Sequence, residues 1–129
     1  MSDELIAELI ELNQRVLDSI TEGDWTTYEA LCDPHLTAFE PEAQGQLVEG
    51  MDFHRFYFQL GGMEGPHQTT MTAPHVRVMG DVAIVSCVRL IQHLGEESQP
   101  MTSRFEETRV WQRQQDGWKH VHFHRSVAK

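Results

Sequence analysis

The apolar positions keep helical spacing in the first part of the chain and alternate in its second half. Leu5, Leu9, Leu12 and Val16 fall on one helical face, and Ile6, Ile10, Leu17 and Ile20 widen it. This spacing predicts a helix over 3–22, capped by Ser2 or Asp3, with acids in its first turn and Gly23 past its end. Asp24 is placed to cap a short second helix running to about Cys32, with Trp25, Tyr28 and Leu31 on one face. Asp33-Pro34 ends it. Residues 36–40 and 46–49 read as short strands around 41–45. A third helix, 51–60, follows Gly50; Phe53, Phe56, Tyr57 and Leu60 form its expected apolar stripe, with His54 and Phe58 on the border. Gly61, Gly62 and Gly65-Pro66 predict a flexible loop. Four long strands follow. The strand at 69–79 is interrupted by Pro74, which marks an edge or a bulge. Residues 81–94 are apolar on both faces, which predicts a central strand. Residues 101–114 and 118–127 form a hairpin joined at Gln115-Asp116-Gly117. Three helices and then strands define an α+β fold: one strongly curved, mainly antiparallel sheet with the helices on its concave side, enclosing a pocket.

The hairpin register decides what faces that pocket. Strict alternation in 118–125 puts Val121, Phe123 and Arg125 on one face and His120, His122 and His124 on the other. A two-residue turn would set Arg109 opposite His124. A three-residue loop with Gly117 in the left-handed region instead brings Phe105, Arg109 and Trp111 onto the face of Val121, Phe123 and Arg125. The second register gathers the large apolar residues on one side and is preferred. A symmetric turn through Gln99 then sets Arg89 opposite Arg109, with Arg125 diagonal to Arg109. Three guanidinium groups thus converge among apolar side chains. Buried charge needs a counter-charge. Glu107, on the same face, is one candidate, and a bound carboxylate or other anion is another. His54 and Tyr57, from the third helix, are placed to complete the wall.

The 129 residues suit one domain over 1–129. A formal net charge of −10 argues against nucleic-acid and anionic-membrane partners, so any anion site must work against the overall field. Two cysteines, Cys32 and Cys87, make no disulfide framework and read as reduced core thiols. No stretch reaches the ~20 apolar residues of a membrane span, and the N-terminus lacks a basic signal region. The cytoplasm is the simplest compartment.

Other chemistry is thinner. Alternate histidines at 120, 122 and 124 invite a metal, but a flat row spaced ~7 Å apart does not converge on one ion. No metal or cofactor is expected. His54 with Asp52 or Glu49, and Glu107 beside the arginines, are the acid–base candidates. No nucleophile or phosphate-loop motif occurs. The Gly95-Glu96-Glu97-Ser98 turn reads as a solvated loop.

Several ordered words carry a resemblance. Cys32-Asp33-Pro34, 36–43, Leu47-Val48-Glu49-Gly50, 52–58, 106–111 and 121–126 closely resemble the association (hub) domain of calcium/calmodulin-dependent protein kinase II, from about Gly23 to Ser126. The resemblance implies the nuclear transport factor 2-like cone, dimerisation and the stacking of dimers into closed rings. It also implies a cavity that accepts small carboxylates, with Arg89, Arg109, Arg125 and His54 in the matching positions. No kinase domain, regulatory segment or calmodulin-target helix precedes the hub here, so a stand-alone hub without kinase activity is expected. The glycine-rich segment after Phe58 is shorter than the family's and bears on ring contacts.

The same cone resembles SnoaL-like cyclases, ketosteroid isomerases and dehydratases. In that alternative Glu107 or His54 is the base and the arginines hold the anion. A Glu107 already locked to arginine would have a depressed pKa and make a poor base. A third possibility is a module in which carboxylate binding shifts assembly.

Overall fold

The computed structural model describes residues 2–127. Helix α1 (Asp3–Glu22) starts where the Ser2 hydroxyl accepts the Leu5 N–H, and stops at Gly23 in the left-handed conformation. Asp24 caps α2 (Trp25–Leu31) by accepting from the Thr27 N–H. Strands β1 (Cys32–Phe39) and β2 (Val48–Glu49), helix α3 (Asp52–Gln59), and strands β3 (Gln68–Met79), β4 (Val82–Leu94), β5 (Pro100–Gln114) and β6 (Gly117–Val127) follow. The six strands form one sheet in the order β2-β1-β6-β5-β4-β3. Only β1–β6 is parallel; the other neighbours are antiparallel.

The α+β architecture agrees with the sequence. Helix α1 lies on β3 and β4, and the core between helices and sheet gathers Leu9, Val16, Tyr28, Leu36, Val85, Trp111 and Phe123. A buried hydrogen bond pins the layers together: the Trp111 indole N–H donates to Asn13 Oδ1 at 3.0 Å. Strand β3 is an edge, and its pairing with β4 slips between Thr72 and His75, around Pro74. Among the described residues no helix is long and apolar enough to cross a membrane.

Three expectations need correction. The hairpin keeps the preferred register from Phe105↔Val127 to Val110↔His122, then shifts by one residue so that Trp111 opposes His120. The extra residue, Val121, bulges out of β6 and reverses the alternation. His120 therefore faces inward, fully buried, and stacks on Phe123 with centroids 5.7 Å apart. The three histidines do not share a face; His122 bonds Thr37 and His124 is exposed. The reason is packing: Trp118 and Phe123 are an odd number of residues apart, and only a bulge buries both.

Second, Arg89 is opposite Phe105, and Arg109 is opposite Val85. The 95–99 loop centres the pairing on Glu97 rather than Gln99. An even displacement leaves both arginines on the concave face.

Third, α3 does not bury its expected stripe. Phe56 and Leu60 are 57% and 71% exposed, while His54 is buried. Phe58 packs on Trp25 and Tyr28 at centroid distances of 5.3 and 4.8 Å. That i, i+4 pair is the inward stripe.

The glycine segment after α3, expected to be flexible, is anchored. The Met63 N–H donates to the Thr21 carbonyl at 2.7 Å. A Cβ on Gly62 would lie 2.4 Å from the Glu22 carbonyl carbon, backbone against backbone. Gly62→Ala is expected to destabilise the fold by about 1–3 kcal/mol. Urea unfolding checks it; an unchanged midpoint would mean the loop lifts off α1 freely.

Candidate functional site

Arg89, Arg109, Arg125, His54 and Tyr57 all line one cavity of about 290 Å³ between α3 and the sheet. Alternation on β4, β5 and β6 aims the arginines inward, and α3 lays His54 over them. Arg89 and Arg109 are 3% and 1% exposed. Arg125 sits at the rim, paired with Glu42. Aromatic rings floor the cations: Arg109 lies 4.4 Å over Phe123, and Arg89 and Arg125 lie 5.3 and 4.9 Å from Phe105.

Glu107 is the buried counter-charge. It accepts from Arg109 Nε at 2.9 Å, with Arg89 Nε 3.0 Å from its other oxygen. The second contact is close but poorly aligned, so Arg89 Nε and Glu107 Oε2 lack a true hydrogen bond. Among the described residues Arg89 Nη1 has no hydrogen-bond partner. Burial works against the Glu107 charge, but Arg109 and Arg89 outweigh it and hold its carboxyl below the usual range. It is locked, and a poor base. Burial brings Arg89 down to about 10 against the pull of Glu107, which leaves it cationic at neutral pH.

Behind Arg109 runs a buried polar chain. Arg109 Nη1 is 3.4 Å from His120 Nε2, and His120 Nδ1 is 3.4 Å from Cys32 Sγ. Arginine only donates, so Nε2 must accept and Nδ1 must carry the proton toward the sulfur. Burial keeps His120 neutral, its pKa well below the usual value, and pushes Cys32 up to about 12. The thiol is therefore not a nucleophile.

The expected partners of His54 are elsewhere. Asp52 and Glu49 line a separate hollow with Glu29. His54 instead places Nδ1 3.6 Å from Glu40 Oε2, both side chains being nearly inaccessible. Burial and Arg109 bring His54 down to about 4, while burial and Glu42 push Glu40 up to about 7. Among the described residues His54 Nε2 has no hydrogen-bond partner. Sequence reasoning missed Glu40, Glu42, Tyr28 and His120. A signal existed for Glu40: it shares parity with Leu36 and Ala38, both fully buried. His120 gave none, because the bulge hides it.

A curved sheet closed by three helices over an inward-facing polar cavity defines the nuclear transport factor 2-like class. A member of that family from Streptomyces avermitilis superposes with a TM-score of 0.79 over 99% of each chain, at 22% identity, which speaks to fold alone. Residues 6–129 match the calcium/calmodulin dependent protein kinase II association domain, and the chain belongs to that family. It is 48% identical over 122 residues to calcium/calmodulin-dependent protein kinase type II subunit delta of Oryctolagus cuniculus, covering 92% of this chain and 23% of that protein. It therefore spans about a quarter of that relative's length. The hub homology domain from Chlamydomonas reinhardtii superposes with a TM-score of 0.89 at 46% identity, over 97% of this chain and 99% of that one.

Proposed function

We propose that this domain, residues 1–129, is a self-associating hub that works by assembly rather than catalysis, as a homodimer and in higher rings, and that its arginine cavity takes a small carboxylate. Family membership supports the assembly. So do the large apolar side chains left at the surface, among them Phe39, Phe56, Leu60 and Val127. The observation that carries the cavity is Arg89. A buried guanidinium with Nη1 unpartnered is costly unless an anion completes it. The small volume suits a small acid. The two bases of the isomerase-like alternative are both weak here: arginine holds Glu107 ionised, and burial brings His54 down to about 4. Two thiols without a disulfide suit the cytoplasm as its compartment.

Native mass spectrometry at micromolar protomer, with calorimetric titration of acetate, tests this reading. Dimers or larger assemblies are expected, with acetate bound by the native chain and its affinity reduced at least about tenfold in Arg89→Gln. A monomer overturns the assembly, and equal binding by Arg89→Gln overturns the cavity.

A further inference from the structure

The charges around the cavity balance before any ligand arrives. With Glu40 ionised, Arg89, Arg109 and Arg125 are matched by Glu40 and Glu42 on the cavity wall and by Glu107, which pairs with Arg89 and Arg109. Two of these carboxylates are already spoken for: Glu107 by Arg89 and Arg109, and Glu42 by Arg125. Among the described residues Glu40 makes no ion pair with an arginine, and the imidazole of His54 lies 3.6 Å from its carboxylate. An entering monoanion would therefore leave one uncompensated negative charge beside the buried Arg89, Arg109 and His54.

We propose that a carboxylate enters this cavity together with one proton from solvent, held on Glu40, and that Glu40 thereby limits the ligand to a single negative charge. The proposal rests on the carboxylate reading above. One proton is taken up, no bond between ligand and protein forms, and the site returns to neutrality. A protonated Glu40 also presents an O–H donor toward the ligand, where an ionised one would repel it. A dianion would exceed the balance even with Glu40 protonated.

The groups facing Glu40 make it the one that titrates. Burial and Glu42 raise its carboxyl to about 7, with Arg125 and Arg109 opposing. His54 on α3 stays neutral down to about 4, and burial keeps Tyr28 on α2 protonated. Arg89 and Arg109 remain cationic, and Glu107 remains ionised.

The test is calorimetric titration of acetate and of succinate between pH 6 and 8.5, in buffers of different ionisation enthalpy. For the native chain the expected result is proton uptake approaching one per acetate at pH 8 and acetate affinity falling about tenfold per pH unit above the Glu40 midpoint. Succinate, as the dianion, is expected to bind at least about tenfold more weakly than acetate. Glu40→Gln is expected to bind acetate with no proton uptake and no pH dependence, and about tenfold more tightly than the native chain at pH 8. The Glu40 carboxyl resonance, followed by carbon NMR in the native chain, is expected to move its midpoint upward when acetate is saturating. Acetate binding without proton uptake, an uptake that survives in Glu40→Gln, or an unmoved midpoint overturns the proton coupling alone. Absence of acetate binding by both proteins across the range overturns the carboxylate reading and this proposal with it.

Discussion

Arg109→Ala is expected to lower folding stability by about 3–5 kcal/mol, the range for removing one partner of a buried ion pair. Arg109 is 1% exposed, it donates to Glu107 from Nε, and its guanidinium lies 4.4 Å over the Phe123 ring. Alanine would leave Glu107 with only the poorly aligned Arg89, strip His120 Nε2 of its donor and open a void over Phe123. Arg125→Ala supplies the contrast. Its ion pair with Glu42 sits at a partly exposed rim, so a loss below about 1 kcal/mol is expected. Urea unfolding of both variants and the native chain, at one protomer concentration because assembly shifts apparent stability, measures the difference. Equal losses would mean that the charge network under the cavity does not hold the fold.

The second large effect is visible only by difference. Glu40 has a folded pKa of about 7, above the ordinary carboxyl value, so its contribution to stability falls as pH rises from about 4.5 to 7. His54 has a folded pKa of about 4, below the ordinary imidazole value, so its contribution falls as pH drops from about 6.5 to 4. Each is worth about 3 kcal/mol across its window. The two slopes are opposite where the windows overlap. The folded state carries its proton on Glu40 while the unfolded chain carries one on the imidazole, so their pH dependences cancel in the native protein. Removing either partner unmasks the other. Relative to the native chain, His54→Gln is expected to gain about 3 kcal/mol on going from pH 6.5 to 4, and Glu40→Gln to gain a similar amount from pH 4.5 to 7. Melting or urea curves at a series of pH values give the two difference profiles. Flat profiles would show that neither side chain is sequestered in the folded protein.

Most of the architecture could be read from the chain because its signals are local. Ser2, Gly23 and Asp24 mark helix ends by capping chemistry, and Pro74 marks a disturbed edge. The three arginines could be placed on one face because side-chain parity survives an even error in register: the wrong turn centre moved Arg89 from opposite Arg109 to opposite Phe105 without turning it outward. Parity does not survive an odd one. The bulge at Val121 sent His120 into the core, and it obeys no local rule. It answers to the demand that Trp118 and Phe123 both be buried, which is a property of the filled core. Helix α3 misled for a related reason. Its most apolar stripe, with Phe56 and Leu60, faces outward, because Phe58 and His54 fit the space under Trp25 and Tyr28. A hydrophobic pattern shows that a helix has two unlike faces but not which neighbours it meets.

The place of β6 between β1 and β5 has a consequence for how the molecule is made. During synthesis, α1, α2, β1 and β2 leave the ribosome early, while β3, β4 and β5 can zip into an antiparallel meander soon after each emerges. Helix α1 can settle on β3 and β4, but β1 and β2 cannot enter the sheet until 117–127 has been translated, since β1 finds its long neighbour there. A nascent chain stalled before Gly117 is thus expected to hold two unfinished sheet edges, which makes it a client for chaperones at that stage. Release of the final strand would close the gap in one cooperative step.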